Sequence, residues 1–162
     1  MRVIGIDPGY HRCGYCVLDY GAGREELICS GCLVTNAKQS MAQRLHSIAT
    51  GLDGLLVQWQ PQVLAVEQIF FAKNVKTAIG VAQARGVVLE RAASMEIAVA
   101  EYSPTTIKSQ LTSSGRADKK QIEFMVRRWV DLPDDIKRLD DELDAIAVAI
   151  CHAQRANIPT GM

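Results

Sequence analysis

Hydrophobic and polar positions divide this chain into runs of two different periods. Val3-Ile4-Gly5-Ile6 is continuously apolar and stops at Asp7-Pro8-Gly9, which predicts a buried strand over 2–7. Two further strand-like runs, 13–20 and 25–34, flank Gly21-Ala22-Gly23, so the chain is expected to open as a β-meander. From Ser40 the period lengthens. Met41, Leu45, Ile48, Leu52, Leu55 and Leu56 recur at helical spacing, and Trp59 with Pro61 mark the end of that amphipathic helix. Val63-Leu64-Ala65-Val66 predicts a second short buried strand, again closed by an acid, Glu67. After Asn74 a helix-prone stretch runs to about Ala93, with Ala78, Ala82 and Gly86 as a row of small side chains at i, i+4 and i+8. Ile97-Ala98-Val99-Ala100 predicts another buried strand, and Pro104 opens a short helix that ends before Thr112-Ser113-Ser114-Gly115. Helices are expected from about Lys119 to Trp129 and from about Asp140 to Gln154.

Three strands in a meander followed by strands alternating with helices imply an α/β fold, a mixed sheet of about five strands with helices on both faces. A chain of 162 residues that is 48% hydrophobic can bury a core without staples. One domain over 1–155 with a C-terminal tail at 156–162 is the expectation. No basic segment leads into a long apolar run at the N-terminus, and no apolar run elsewhere reaches membrane-spanning length. The expectation is a cytoplasmic protein with no membrane partner.

Asp7 and Glu67 each close an apolar strand, and in open α/β sheets sites assemble at the carboxyl ends of neighbouring strands. A strand must also end in something polar, so neither acid decides anything alone. Asp141 and Asp144 share one face of the last helix, beside the apolar stripe of Leu143, Ile146, Ala147 and Ile150. Acids in a first turn also compensate a helix dipole, and Asp140 lies four before Asp144, so spacing leaves Asp140 and Asp141 as alternatives. Hard divalent cations give such acids a reason to gather, since Mg²⁺ binds through a few carboxylates, water and phosphate. Two ions about 4 Å apart are suited to phosphodiester hydrolysis.

Gly5-Ile6-Asp7-Pro8-Gly9, Val66-Glu67-Gln68-Ile69-Phe70, Gln83-Ala84-Arg85-Gly86 and Asp141-Glu142-Leu143-Asp144-Ala145-Ile146-Ala147, in that order, closely resemble the RuvC family of bacterial Holliday-junction endonucleases, in the RNase H-like superfamily. The resemblance runs from Met1 to about His152. It implies an RNase H-like fold and places the closing Asp-x-x-Asp-Ala motif on Asp141 and Asp144. It implies that Asp7, Glu67, Asp141 and Asp144 are catalytic metal ligands for two Mg²⁺, with Mn²⁺ as a substitute. The implied reaction is symmetric nicking of opposed strands of a four-way DNA junction, leaving 5′-phosphate and 3′-hydroxyl ends, in recombination and repair. The implied partners are a second copy of the chain and the branch-migration proteins RuvA and RuvB. A homodimer contact through Ala78, Ala82 and Gly86 follows from the resemblance, although packing within one chain would also explain that row.

The same resemblance assigns Phe70 to stacking on or wedging between unpaired bases. It leaves Phe71 as core or edge, and sets Lys108 and Lys119 near the scissile phosphate. Lys73, Lys76, Arg85, Arg116 and Lys120 would extend the basic field along the groove. Where the family has Gly-x-Gly before that last lysine, this chain has Ser113-Ser114-Gly115, so a loop of different stiffness or shape is expected.

Net charge gives no help, since 18 basic residues balance 18 acidic ones. A DNA-binding reading therefore requires the charges to be segregated over the surface. Two other classes remain: an actin-like ATPase, which needs more length and glycine-rich phosphate loops, and a silent DNA-binding relative, which would lack one of the acids. Five cysteines without an export signal imply reduced, half-buried thiols. Cys13-x-x-Cys16 and Cys29-x-x-Cys32 have zinc-like spacing. A hairpin about Ala22-Gly23 would set Cys13 opposite Cys32 and Cys16 opposite Cys29, with positions three apart on opposite faces, so structural zinc is not expected. His11, His46 and His152 are expected to be structural or surface residues.

Overall fold

The computed structural model describes residues 1–21, 24–68, 75–133 and 137–156, with the side chains of 24, 75 and 76 outside that description. The elements in chain order are β1 (Arg2–Asp7), β2 (Arg12–Gly21), β3 (Arg24–Val34), α1 (Met41–Trp59), β4 (Val63–Glu67), α2 (Val75–Ser94), β5 (Ala98–Tyr102), α3 (Pro104–Thr112), α4 (Lys119–Trp129) and α5 (Asp140–Ala156). The strands form one sheet in the order β3-β2-β1-β4-β5. The meander strands pair antiparallel, whereas β1, β4 and β5 run parallel.

Alternation along the strands builds two cores. Ile4, Ile6, Cys13, Val17, Leu64 and Val66 point to one face, where they meet Ile48 and Leu52 of α1 and Ala84, Val88 and Ala92 of α2. Val3, Cys16, Leu18 and Ala65 point to the other, under α5, with α3 and α4 packed outside it. The apolar stripe expected on α5 is therefore too narrow. Buried between the sheet and two helices, α5 has every residue from Ala145 to Ala153 in the core.

Close approach of α5 depends on two glycines. A Cβ on Gly5 would lie 2.4 Å from the Ala145 carbonyl oxygen, and one on Gly14 would lie 1.9 Å from that of Asp141. Both gaps are too small for any side chain, so the helix backbone rests on strand backbone.

Helix ends follow local chemistry. Ser40 with Gln43 and Asp118 with Gln121 form capping boxes at the starts of α1 and α4, while Ser103 caps α3 ahead of Pro104. Ser113 closes α3 in the left-handed region at φ 60.

Two expectations are corrected. The last strand, expected to be buried, is an edge strand with Ala98, Val99 and Glu101 exposed, because only β4 flanks it. The hairpin register also changes partway. Leu18 pairs with Leu27 but Val17 pairs with Cys29, so Ile28 is an extra residue in a β-bulge. Beyond the bulge Cys13 pairs with Leu33, Gly14 with Cys32 and Cys16 with Ser30, instead of cysteine facing cysteine. Cys13 and Cys16 still lie in opposite cores, and all five cysteines are free. Cys13, Cys16 and Cys151 are fully buried, not half-buried, and burial pushes the Cys13 thiol up to about 12.

Candidate metal and DNA site

Parallel pairing of β1 with β4 puts Ile6 level with Val66, so Asp7 and Glu67 leave the two central strands side by side. Both continue the face occupied by Gly5 and Ala65, which is the face under α5. Gly14 pairs with Asp7 and meets the backbone of Asp141, so the first turn of α5 sits directly over the two strand-end acids. Asp144, one turn further, lines a cleft of about 330 Å³ together with Glu67, Lys108 and Lys119.

The acids feel one another. Burial, followed by the charges of Asp144, Asp141 and Glu67, pushes the Asp7 carboxyl up to about 7, and Lys119 offsets only part of this. Burial and then Asp144 raise Glu67, with Lys108 pulling the other way. Asp144 is raised by burial, with Lys119 opposing and Asp140 and Asp141 adding to the shift. Of the two alternatives left by spacing, Asp141 acts on Asp7, whereas the Asp140 side chain is 69% exposed and pairs with Lys119 Nζ at 3.0 Å.

Two cations hold the helix acids from either side. Lys119 Nζ lies 3.7 Å from Asp144 Oδ2. Arg12 Nε lies 2.8 Å from Asp141 Oδ2, but this buried oxygen has no hydrogen-bond partner among the described residues, so the contact supplies charge without hydrogen-bond geometry. Among the described residues no three His, Cys, Asp or Glu side chains converge closely enough to hold one ion. The donor set nevertheless suits a hard cation: carboxylate oxygens alone, mutual repulsion that ionisation worsens, and an orphaned oxygen at Asp141.

The remaining predicted positions separate. Lys108 and Lys119 line the cleft beside Glu67 and Asp144. Arg116 and Lys120 are exposed, and Lys120 borders a different hollow, next to Phe124. Arg85 is engaged within the chain. Its guanidinium is bound to Glu101, and its Nε donates to the Glu67 carbonyl oxygen at 3.3 Å, so it braces the end of β4. Phe70, Phe71 and Lys73 lie outside the described residues, as do the Lys76 side chain, the Ala22-Gly23 turn and all of the expected tail but Ala156. Ala82 and Gly86 face outward on α2, and a Cβ on Gly86 would meet nothing within 4 Å among the described residues, whereas Ala84, Val88 and Ala92 face the core. Packing among the described residues therefore does not account for Ala82 and Gly86. Ala78 is half-buried.

Sequence reasoning missed Arg12, which has no periodicity to mark it. It also missed a buried network in which Glu142 accepts from Ser30 Oγ at 2.7 Å and is paired with Arg138, anchoring the start of α5. His152, left as structural or surface, is buried and bridges Tyr20 and Tyr102 at 3.1 and 2.8 Å.

A family model described as crossover junction endodeoxyribonuclease RuvC matches residues 3–152. The protein of that name from Syntrophomonas wolfei is 45% identical over 152 residues, 94% of this chain and 88% of that one. The one from Roseiflexus sp. is 46% identical over 155 residues, 96% of this chain and 92% of that one. Among solved structures, T. thermophilus RuvC in complex with Holliday junction substrate superposes with a TM-score of 0.90 at 31% identity, covering 99% of this chain and 97% of that one. The yeast mitochondrial Holliday junction resolvase Ydc2 shares the fold with a TM-score of 0.70 at 13% identity, over 94% of this chain and 78% of that one.

Proposed function

This chain belongs to the RuvC family of crossover junction endodeoxyribonucleases, and from that premise we propose that it resolves four-way DNA junctions by nicking opposed strands. Asp7, Glu67, Asp141 and Asp144 are the ligands in this reading, for Mg²⁺, two per site, with Mn²⁺ able to substitute. The observation that carries it is the level placement of Asp7 and Glu67 at the ends of β1 and β4, under the first turn of α5. Bound cations would supply an activated water and a counter-charge for the leaving oxygen.

The protein's own groups do the rest. The carboxylates fix where positive charge can sit, and burial at Asp7 keeps that end of the site dry enough for the charge to be felt. Lys108 and Lys119 draw a strand phosphate into the cleft between α3, α4 and α5. Arg85 fixes the carbonyl of Glu67, which limits movement of that side chain. Outward-facing Ala82 and Gly86, with Ala78, fit a homodimer in which two sites face two strands of a symmetric junction. Phe70 is proposed as the base-stacking wedge, Lys73, Lys76, Arg116 and Lys120 as outer DNA contacts, and RuvA and RuvB as partners. No helix among the described residues is long and apolar enough to cross a membrane, and cytoplasmic action on DNA is part of the proposal.

The test is a labelled synthetic four-way junction beside a linear duplex of matched sequence, each with Mg²⁺ and with chelator. Paired nicks in the junction alone, dependent on Mg²⁺ and lost in Asp7→Asn with junction binding retained, are expected. Equal cutting of both substrates would reduce the protein to a general nuclease.

A further inference from the structure

Arg12 starts β2, after the connection Pro8-Gly9-Tyr10-His11 that follows Asp7, and that connection is tight. A Cβ on Gly9 would stand 2.1 Å from the Arg12 carbonyl oxygen, so only glycine lets the chain double back here. Arg12 has the same strand parity as Gly14, the partner of Asp7, and so emerges on the face under α5. There its Nε reaches 2.8 Å from Asp141 Oδ2 while 47% of its side chain stays exposed. The oxygen it approaches is buried and has no hydrogen-bond partner among the described residues.

We propose that Arg12 is an internal counter-ion for Asp141, one that a divalent cation displaces and that then binds a phosphate of the DNA strand in the site. The inference rests on the metal-dependent reading of the four carboxylates above. An ion pair whose cation stays half exposed and which lacks hydrogen-bond geometry is weak and gives way to a doubly charged ion. The guanidinium cannot lose its charge, and its fork of donors matches phosphate, so once released beside the cleft it takes the next available anion. In the free protein Arg12 and Lys119 hold Asp141 and Asp144 from opposite sides, consistent with acids that affect one another without converging on one point.

Two measurements on wild type and Arg12→Gln test this. Mn²⁺ titration without DNA, followed by electron paramagnetic resonance, is expected to show about two- to fivefold tighter binding in the variant, the size of one weak ion pair removed. Junction binding across a salt series in Ca²⁺ is expected to be weaker in the variant, with a log–log slope smaller by about one, for one lost phosphate contact. In chelator, with Arg12 held on Asp141, the two proteins should share one slope. Arg12→Lys keeps the charge and should leave Mn²⁺ affinity near wild type, which separates counter-charge from shape. Unchanged or weaker Mn²⁺ binding by Arg12→Gln, or a slope difference that is absent in Ca²⁺ or equally present in chelator, overturns the inference. If wild type binds Mn²⁺ and cuts junctions while either of these holds, only the role of Arg12 falls. If wild type binds no Mn²⁺, the metal-dependent reading falls with it.

Discussion

The carbonyl oxygen of Asp141 lies 1.9 Å from where a Cβ on Gly14 would stand, so the first turn of α5 is seated against β2 at the residue that pairs with Asp7. Any side chain at position 14 must lift the helix end that carries Asp141 and Asp144. Gly14→Ala is therefore expected to lower stability by about 3 kcal/mol, in the range of core overpacking, or about 6–12 °C in Tm for a chain of this size. Cleavage should fall further than stability explains, because Asp141 moves away from Asp7. Gly54→Ala, in α1 where a Cβ meets nothing within 4 Å, is the control and should raise Tm slightly. Thermal melts and single-turnover cleavage on the two variants check both statements.

The outward row on α2 makes a separable prediction. A Cβ at Gly86 has open space among the described residues, so Gly86→Leu should leave the far-UV circular dichroism spectrum and secondary structure intact. If two copies meet there, the added side chain holds the helices apart and the sedimenting species becomes the monomer at micromolar concentration. A variant that remains dimeric would place the contact elsewhere.

How far the sequence reveals this site depends on which forces act locally. The strand-end acids were legible because apolar runs stop at Asp7 and Glu67, and the parallel pairing of β1 with β4 makes them neighbours. Spacing could not separate Asp140 from Asp141, since both lie within reach of the same helix face. Their difference arises from tertiary contacts, Lys119 drawing Asp140 outward and Gly14 seating Asp141 inward. The cysteine register failed for a similar reason, because a bulge at Ile28 leaves no periodic trace in an eleven-residue strand. Arg85 belongs to the Gln83-Ala84-Arg85-Gly86 motif yet serves as a brace, and its partner Glu101 lies on a strand whose edge position no local pattern reveals.

Ser113 occupies a left-handed conformation, φ 60, at the end of α3, with its N–H donating to Ser109 at 2.8 Å. The backbone there has the shape glycine prefers, so the loop keeps a glycine-like turn in spite of the substitution and stores strain on the order of 1 kcal/mol. Ser113→Gly relieves that strain but loosens the unfolded chain, so a net gain of about 0.5 kcal/mol is expected. Chemical denaturation should show a higher midpoint with an unchanged slope. A lower midpoint would mean that the serine side chain contributes more to the loop than its backbone strain costs.

Asp7 supplies the sharpest pH dependence. Its carboxyl is pushed up to about 7 in the metal-free fold, first by burial and then by Asp144, Asp141 and Glu67, against an ordinary value near 3.8. A group raised in the folded state favours folding while it is protonated in both states, below about pH 4, and that contribution is lost as pH rises through about 7. Metal-free protein should therefore lose stability between about pH 4 and pH 7 on account of Asp7, by on the order of 2–4 kcal/mol. Asp7→Asn cannot ionise, so without metal it should be more stable than wild type at pH 8 and no different near pH 4. Divalent cation reverses the order at pH 8, because it neutralises the charge that the fold resists, and its binding should release protons near neutrality. Melting curves of both proteins from pH 4 to 8, with and without Mg²⁺, test the argument. A wild type that is the more stable of the two at pH 8 in chelator would show that Asp7 is ionised there at little cost.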